Sequence, residues 1–344
     1  MPLFENLRRT ELIRQSVRLF SASALLSLYL SAFSANAQQN VPAAPPQEPA
    51  SQAPAAPAPA AAPVFPKVDP ANFTAASPTK DTVNAFMQAS WGYDDSRVWQ
   101  VQGILKTAVE GVSKVVIYAG DKTGKQKLTG ISFFVLPDGK HIIAGDEIIP
   151  FGDHPFAEPR KILQDRADGP FQGAASKDLE LVEFADFQCP HCKDAQANME
   201  KLLADFPKAR IVFQNYPLAT LHKQAVSAAS YGICVAKAGG STAFFQYASA
   251  VFDGQDGLSS DDGAALTLNS AVTKSGQDPA KIAECAKTPA VGASVEASVK
   301  LALELNVNQT PTLMVNGRPV PANAPYDTLK QIILFQEKLD GIGQ

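Results

Sequence analysis

"EFADFQCPHCKDA", residues Glu183 to Ala195, holds two of the four cysteines in this chain of 344 residues. Two thiols with two residues between them can grip a metal, staple a loop or exchange electrons. The run before them, "LELVEFADF" (Leu179 to Phe187), reads as a buried strand, and "NMEKLLADF" continues from them as a helix. A zinc site needs about four nitrogen or sulfur ligands. Cys234 and Cys285 stand alone in the sequence, His191 lies inside the loop and His222 has no partner near it. A purely structural bridge closing so small a loop gains little. Redox chemistry is the reading that survives, and no metal is expected.

The strand-to-helix junction suits that chemistry. Cys189 is expected near a helix N-terminus, where unpaired N–H groups and the helix dipole favour negative charge. Such a setting lowers the thiol pKa and populates the thiolate, the species that attacks or departs. His191, when protonated, adds positive charge beside the sulfur. Pro190 fixes the backbone in the first turn, where its missing N–H is harmless. Cys192 lies one turn deeper and is expected to be shielded. Cys189 is thus assigned the mixed disulfide with a client, and Cys192 its resolution. A stabilised Cys189 thiolate favours the reduced form and makes the disulfide an oxidant.

Outward from this motif, "ARIVFQNYPL" (Ala209 to Leu218) reads as a second strand. A helical region runs from about 222 to 305, broken at Gly239-Gly240, "FDGQDGLSS" and "SGQDP". "QTPTLMVNG" (Gln309 to Gly317) is a further strand with a short hairpin partner, and "YDTLKQIILFQEKL" (Tyr326 to Leu339) a last amphipathic helix. That order predicts an α/β, thioredoxin-like fold with a helical insertion, over 166–344.

Upstream, 68–165 reads as a small α+β domain. Thr79 is placed to cap a helix in "KDTVNAFMQASW", and "DSRVWQVQGILKT" reads as a second helix. "VSKVVIYAG", "KLTGISFFVLPDG" and "KHIIAGDEIIPFG" then read as strands of an antiparallel sheet. Its histidines, His141 and His154, are expected to be surface or satisfied polar residues. "DRADGPFQGAASKD" (Asp165 to Asp178) reads as a link.

The N-terminus reads as an address rather than as fold. Arg8, Arg9, Arg14 and Arg18 precede an apolar run, Leu19 to Ser34, and "ANA" (Ala35 to Ala37) fits a cleavage site. Residues 1–37 are expected to be a signal peptide, the alternative being an uncleaved membrane anchor. Residues 38–67 are rich in Ala and Pro and are expected to be a disordered leader or a spacer. Export to the periplasm or beyond is expected, where a cysteine pair can form and keep a disulfide. A formal net charge of -4 gives no electrostatic case for nucleic-acid binding.

From about Gly169 onward the chain resembles the DsbA-like branch of the thioredoxin superfamily, on "LVEFADFQCPHC", "FQNYPLATLHKQA", "FDGQDGLS" and "LNVNQTPTLMVNGRPV". The resemblance implies that Pro311 is cis and faces the Cys189–Cys192 pair, and that Thr310 offers its backbone to a bound client. It implies that Glu183 is a buried acid that helps move the proton of Cys192, against the plainer reading of a strand-edge charge. It also implies a structural disulfide between Cys234 and Cys285, against a second, relaying redox pair. Further upstream, "VLPDGKHIIAGDEI" resembles the dimerisation hairpin of DsbC- and DsbG-like isomerases. That resemblance implies a homodimer paired through an exposed sheet edge in 68–165.

The expectation is an exported thiol:disulfide oxidoreductase acting on cysteines of other exported proteins, with no bound cofactor and a membrane redox partner that recycles it. "CPHC" resembles the oxidase, whereas Thr310 and the N-terminal hairpin resemble the isomerase. Oxidation is the favoured direction. A client-binding chaperone or interaction module is the alternative of another class.

Overall fold

The computed structural model of the chain describes residues 63–124, 127–145 and 147–342. The expected signal peptide (1–37) and nearly all of the expected leader (38–67) lie outside the described residues. Among the described residues, no helix is long and apolar enough to cross a membrane.

The N-terminal part begins with helix α1 (Lys80–Trp91), capped by Thr79, whose hydroxyl accepts from the Thr82 N–H at 3.1 Å. Val83, Phe86 and Met87 recur at helical spacing and are buried. Strands β1 (Arg97–Lys106), β2 (Ser113–Asp121), β3 (Thr129–Val135), β4 (His141–Ala144) and β5 (Glu147–Pro150) follow as an antiparallel meander in chain order. β2 alternates strictly, with Val115, Ile117 and Ala119 turned inward. Phe86 of α1 packs against Phe133 and Phe151 at 6.0 and 5.0 Å, which seats the helix on the sheet.

The expected second helix over "DSRVWQVQGILKT" is instead strand β1. It pairs with β2 from Arg97 to Lys106, and its register shifts between Val101 and Gly103. That bulge places four consecutive residues, Val101 to Ile104, in the interior. A run of this kind has no two-residue alternation and imitates a helical face. Gly103 in its middle weighs against a helix and lets the backbone lie against Asn72, 3.0 Å from where a Cβ would sit.

Helix α2 (Ala157–Arg166) leads into the second sheet. The stretch expected to be only a link contains strand β6 (Phe171–Gly173), an edge strand antiparallel to β8. Strand β7 (Leu179–Ala185), helix α3 (Pro190–Asp205) and strand β8 (Ala209–Asn215) form a parallel strand–helix–strand unit. Helices α4 (Ala225–Asp253), α5 (Asp261–Lys274), α6 (Pro279–Ala286) and α7 (Pro289–Glu304) make the insertion, and α4 is kinked at Gly240. Strands β9 (Thr312–Val315) and β10 (Arg318–Pro321) and helix α8 (Tyr326–Leu339) complete the chain. The strand order is β10-β9-β7-β8-β6, with β7 central and antiparallel to β9. This is the thioredoxin-like arrangement, with its helical insertion between β8 and β9.

β7 is buried along its whole length. Leu179 and Leu181 meet Leu202 of α3 and Leu329 of α8, while Val182 and Phe184 meet Leu301 of α7 on the other side. By the same alternation Glu183 is turned to the α3 side. The insertion packs Phe244, Tyr247 and Val251 against Phe187 and Phe213. Cys234 on α4 is disulfide-bonded to Cys285 on α6, with 6.0 Å between their Cα atoms.

Arg318, Asn306 and Asn308 join the N-terminal part to the second sheet and the loop leading to β9. Arg318 of β10 is buried, and its guanidinium donates to the carbonyls of Ala89 and Ser90, at the C-terminal end of α1. It also donates to Gln336 Oε1 at 2.9 Å and lies over the Phe156 ring at 4.2 Å. A cation is favoured at that pole of a helix. Asn306 donates to the Ile148 carbonyl at 3.3 Å, and Asn308 to Glu147 Oε1 at 3.2 Å. The outer edge of β5 therefore meets the loop that leads to Thr310. Of the two edges of the first sheet, β5 is thus partly met by the chain itself, and β1 forms the other.

Candidate active site

The site is built at the C-terminal end of β7. The strand ends at Ala185, and Asp186, Phe187 and Gln188 turn the chain into α3. Cys189 is the N-cap residue of α3, in extended conformation (φ -76°, ψ 120°), and Pro190 occupies the first turn. The Cys189 N–H donates to the Asp186 carbonyl at 3.1 Å. The Cys189 carbonyl receives the Cys192 N–H at 3.1 Å and Gln255 Nε2 at 3.0 Å. Cys192 lies one turn in and is fully buried, whereas Cys189 keeps 5% of its surface open. Both are free thiols in this structure.

Thr310 and Pro311, more than a hundred residues away, close the other side. The Thr310–Pro311 peptide is cis. The Cys189 Sγ–H donates to the Thr310 carbonyl at 3.6 Å. The Thr310 hydroxyl is buried with no hydrogen-bond partner, and Thr310 is among the groups that lower Cys189.

These donors separate the two thiols electrostatically. The hydrogen bond from Cys192 is the largest influence on Cys189. With Thr310 and the peptide N–H groups of Cys192 and His191, it overcomes the opposing effect of burial and lowers Cys189 to about 5. Cys192 is pushed far above the usual thiol range, first by burial and then by its neighbour Cys189. The His191 side chain is 69% exposed and lies 3.9 Å from the Asp194 carboxylate. It is the His191 peptide N–H, rather than imidazole charge, that contributes to the lowered Cys189.

Glu183 is buried beneath α3, and burial raises its carboxyl to about 8 despite a hydrogen bond from Gln196 Nε2 at 3.1 Å. Gln196 Nε2 also donates to the Cys192 carbonyl at 3.0 Å, so one amide spans Glu183 and the Cys192 backbone. Glu183 is among the groups that raise Cys192. A carboxyl poised near neutrality beside a buried thiol can take up and return its proton.

The structure brings Cys189, Pro190, Cys192, Glu183, Thr310 and Pro311 of the sequence reading together around the end of β7, and leaves the His191 side chain exposed. Cys234 and Cys285 lie in the insertion and are bonded to each other, away from solvent on the Cys234 side. Asp186, Gln188, His222 and Gln255 were missed. The Asp186 N–H donates to Cys192 Sγ at 3.4 Å, and Gln188 links the turn to the insertion through Leu258 and Gln224. Their signal lay in the stretches "EFADFQ", "TLHKQ" and "FDGQDG", which name the residues but not their pairing.

Comparisons with known proteins bear on the same half of the chain. Residues 165–334 match the family model described as Thioredoxin. A solved thioredoxin-like oxidoreductase from Silicibacter pomeroyi is 23% identical, covering 52% of this chain and 98% of that one, with a TM-score of 0.45. A periplasmic thioredoxin-like protein from Salmonella enterica serovar Typhimurium is 22% identical, covering 53% and 96%, with a TM-score of 0.43. A curated relative, Na(+)/H(+) antiporter NhaA 3 of Salinispora tropica, is 29% identical over 147 residues. Those residues are 43% of this chain and 21% of the antiporter, so the chain spans about a fifth of that relative. The transport activity in that name is that protein's own. The dithiol at a strand-to-helix junction, the facing Thr310-Pro311 and the order of strands and helices agree with the family match, which makes residues 165–334 a thioredoxin domain.

Proposed function

We propose that the chain is an exported thiol:disulfide oxidoreductase that donates its Cys189–Cys192 disulfide to cysteines of other exported proteins. The observation that carries this reading is the asymmetry of the pair, with Cys189 lowered to about 5 and Cys192 raised. A thiolate stable at neutral pH stabilises the reduced form, so the disulfide is a strong oxidant. A client thiolate attacks Cys189 Sγ, and the Cys189–Cys192 bond breaks. The electrons of that bond pass to Cys192, which takes a proton by way of Glu183. A second client thiolate then attacks the client sulfur of the mixed disulfide and releases Cys189 as the thiolate. The client leaves oxidised by two electrons, and the enzyme is left reduced. Reoxidation falls to a redox partner at the membrane. Thr310 and Pro311 offer the client an extended backbone edge beside Cys189. Export rests on the sequence of residues 1–37.

The homodimeric isomerase is the alternative reading: Asn306 and Asn308 contact one edge of the first sheet, at β5, and β1 forms its other edge. The test is the steady-state redox state of Cys189 and Cys192 in cells, trapped by acid and alkylated. A largely oxidised pair is expected. A largely reduced pair in growing cells would overturn the oxidase direction in favour of the isomerase.

A further inference from the structure

Asp186 touches both active thiols through its backbone and carries a carboxylate that the exchange chemistry above does not use. Its N–H donates to Cys192 Sγ at 3.4 Å, and its carbonyl accepts from the Cys189 N–H at 3.1 Å. Its side chain has no exposed surface. Oδ1 accepts from the Gln188 N–H at 2.7 Å, and Oδ2 from the Leu218 N–H at 2.8 Å. His222 Nδ1 lies 2.8 Å from the same Oδ2 and is the one ion-pair partner of Asp186 among the described residues. Lys223, next along the loop, is committed to Asp261 at 2.8 Å.

A buried carboxylate without a countercharge is costly, and it also raises the energy of any other anion close by. The nearest anion formed in the reaction is the reduced dithiol. We propose that His222 is a positioning residue which, as the ion-pair partner of Asp186 Oδ2, keeps that carboxylate from opposing the active-site thiolate and so sets how oxidising the disulfide is. It acts on the thiols only through Asp186. The loop from Leu218 to Gln224 thereby becomes part of the redox centre, although it holds no sulfur. This rests on the thiol–disulfide exchange reading.

The test is equilibration of the full chain with glutathione. The disulfide takes two electrons from two glutathione thiols, giving a Cys189 thiolate, a Cys192 thiol, one glutathione disulfide and one released proton. Replacing His222 with alanine uncovers a unit of negative charge beside the thiols. It is expected to shift the equilibrium on the order of tenfold toward the protein disulfide, or about 30 mV for a two-electron couple. The alkylation midpoint of Cys189 is expected to rise with it. His222→Gln restores a donor but not the charge, so it should recover thermal stability and keep the shifted equilibrium. Adding Asp186→Asn to His222→Ala removes the uncovered charge and should return the equilibrium toward that of the unaltered protein. A His222→Ala variant that folds and equilibrates unchanged overturns the proposal. If that variant does not fold, an unchanged equilibrium in His222→Gln overturns it instead. Failure of the unaltered protein to exchange with glutathione would sink the exchange reading, whereas the Cys189 alkylation midpoint still measures the influence of His222.

Discussion

Replacing Glu183 with glutamine keeps the shape of a buried side chain and removes its ionisation. The carboxyl is raised from 4.5 to about 8, by burial first, with the Gln196 hydrogen bond opposing. Neither cause is a thiol, so the shift persists in the disulfide form, where Cys189 and Cys192 do not titrate. A group raised on folding stabilises fully below its unfolded pKa, and that contribution is lost as pH rises through the folded value. Relative to glutamine, Glu183 therefore has no penalty near pH 4 and a growing one between 4.5 and about 8. At pH 7 the gap spans about 2.5 pH units, each worth about 1.36 kcal/mol, so Glu183→Gln is expected to stabilise the oxidised protein by about 3 kcal/mol. At pH 4 the two should be nearly equal. Urea unfolding of both oxidised proteins at pH 4, 6, 7 and 8 measures this difference directly. The same variant should slow reduction of the disulfide, since Cys192 loses its proton donor. A stability difference that does not change with pH would refute the argument that Glu183 is protonated in the folded state.

Two further outcomes follow from the site and its support. With Cys189 at about 5, half of it is thiolate at pH 5, whereas an ordinary thiol near 8.5 is ionised there to roughly three parts in ten thousand. After allowing about fortyfold for the weaker nucleophilicity of an acidic thiol, Cys189 should be alkylated about fortyfold faster than a model thiol at that pH; equal rates would sink the assignment of Cys189 as the acidic member. Replacing Cys234 and Cys285 with alanine opens a bridge across 51 residues, with an expected loss of about 4 kcal/mol in denaturant unfolding. Exchange rates should persist where the variant is folded, and a collapse of exchange without unfolding would restore the relay reading.

The parts of the fold that were legible in the sequence are those whose residues are set by local geometry. α1 announces itself by the Thr79 cap and its helical spacing, and α8 by an amphipathic run from Tyr326 to Leu339. β7 and α3 are joined at a motif that only one backbone arrangement accommodates. β1 was obscured because its bulge removes the alternation that marks a strand. β6 is three residues long, and its only support is pairing with β8 from forty residues away. Among the site residues, Cys189 and Cys192 have only Pro190 and His191 between them and are easily seen. Asp186 and His222 are not, because their pairing exists only once the β8–α4 connection has folded back over the turn. Thr310 and Pro311 were placed by family likeness; nothing local to "QTPT" says which cysteine they face.

The Arg318 contact bears on how this protein can be divided. The guanidinium makes no ion pair among the described residues and is held by two carbonyls of α1, the Gln336 amide and an aromatic face. Pulling the N-terminal part away leaves those carbonyls and N–H groups without their partners in one step. Arg318 thus ties β10, next to the strand that carries Thr312, to the C-terminal end of α1. An engineer who trims the chain to its thioredoxin-like half inherits an exposed cationic scar at β10.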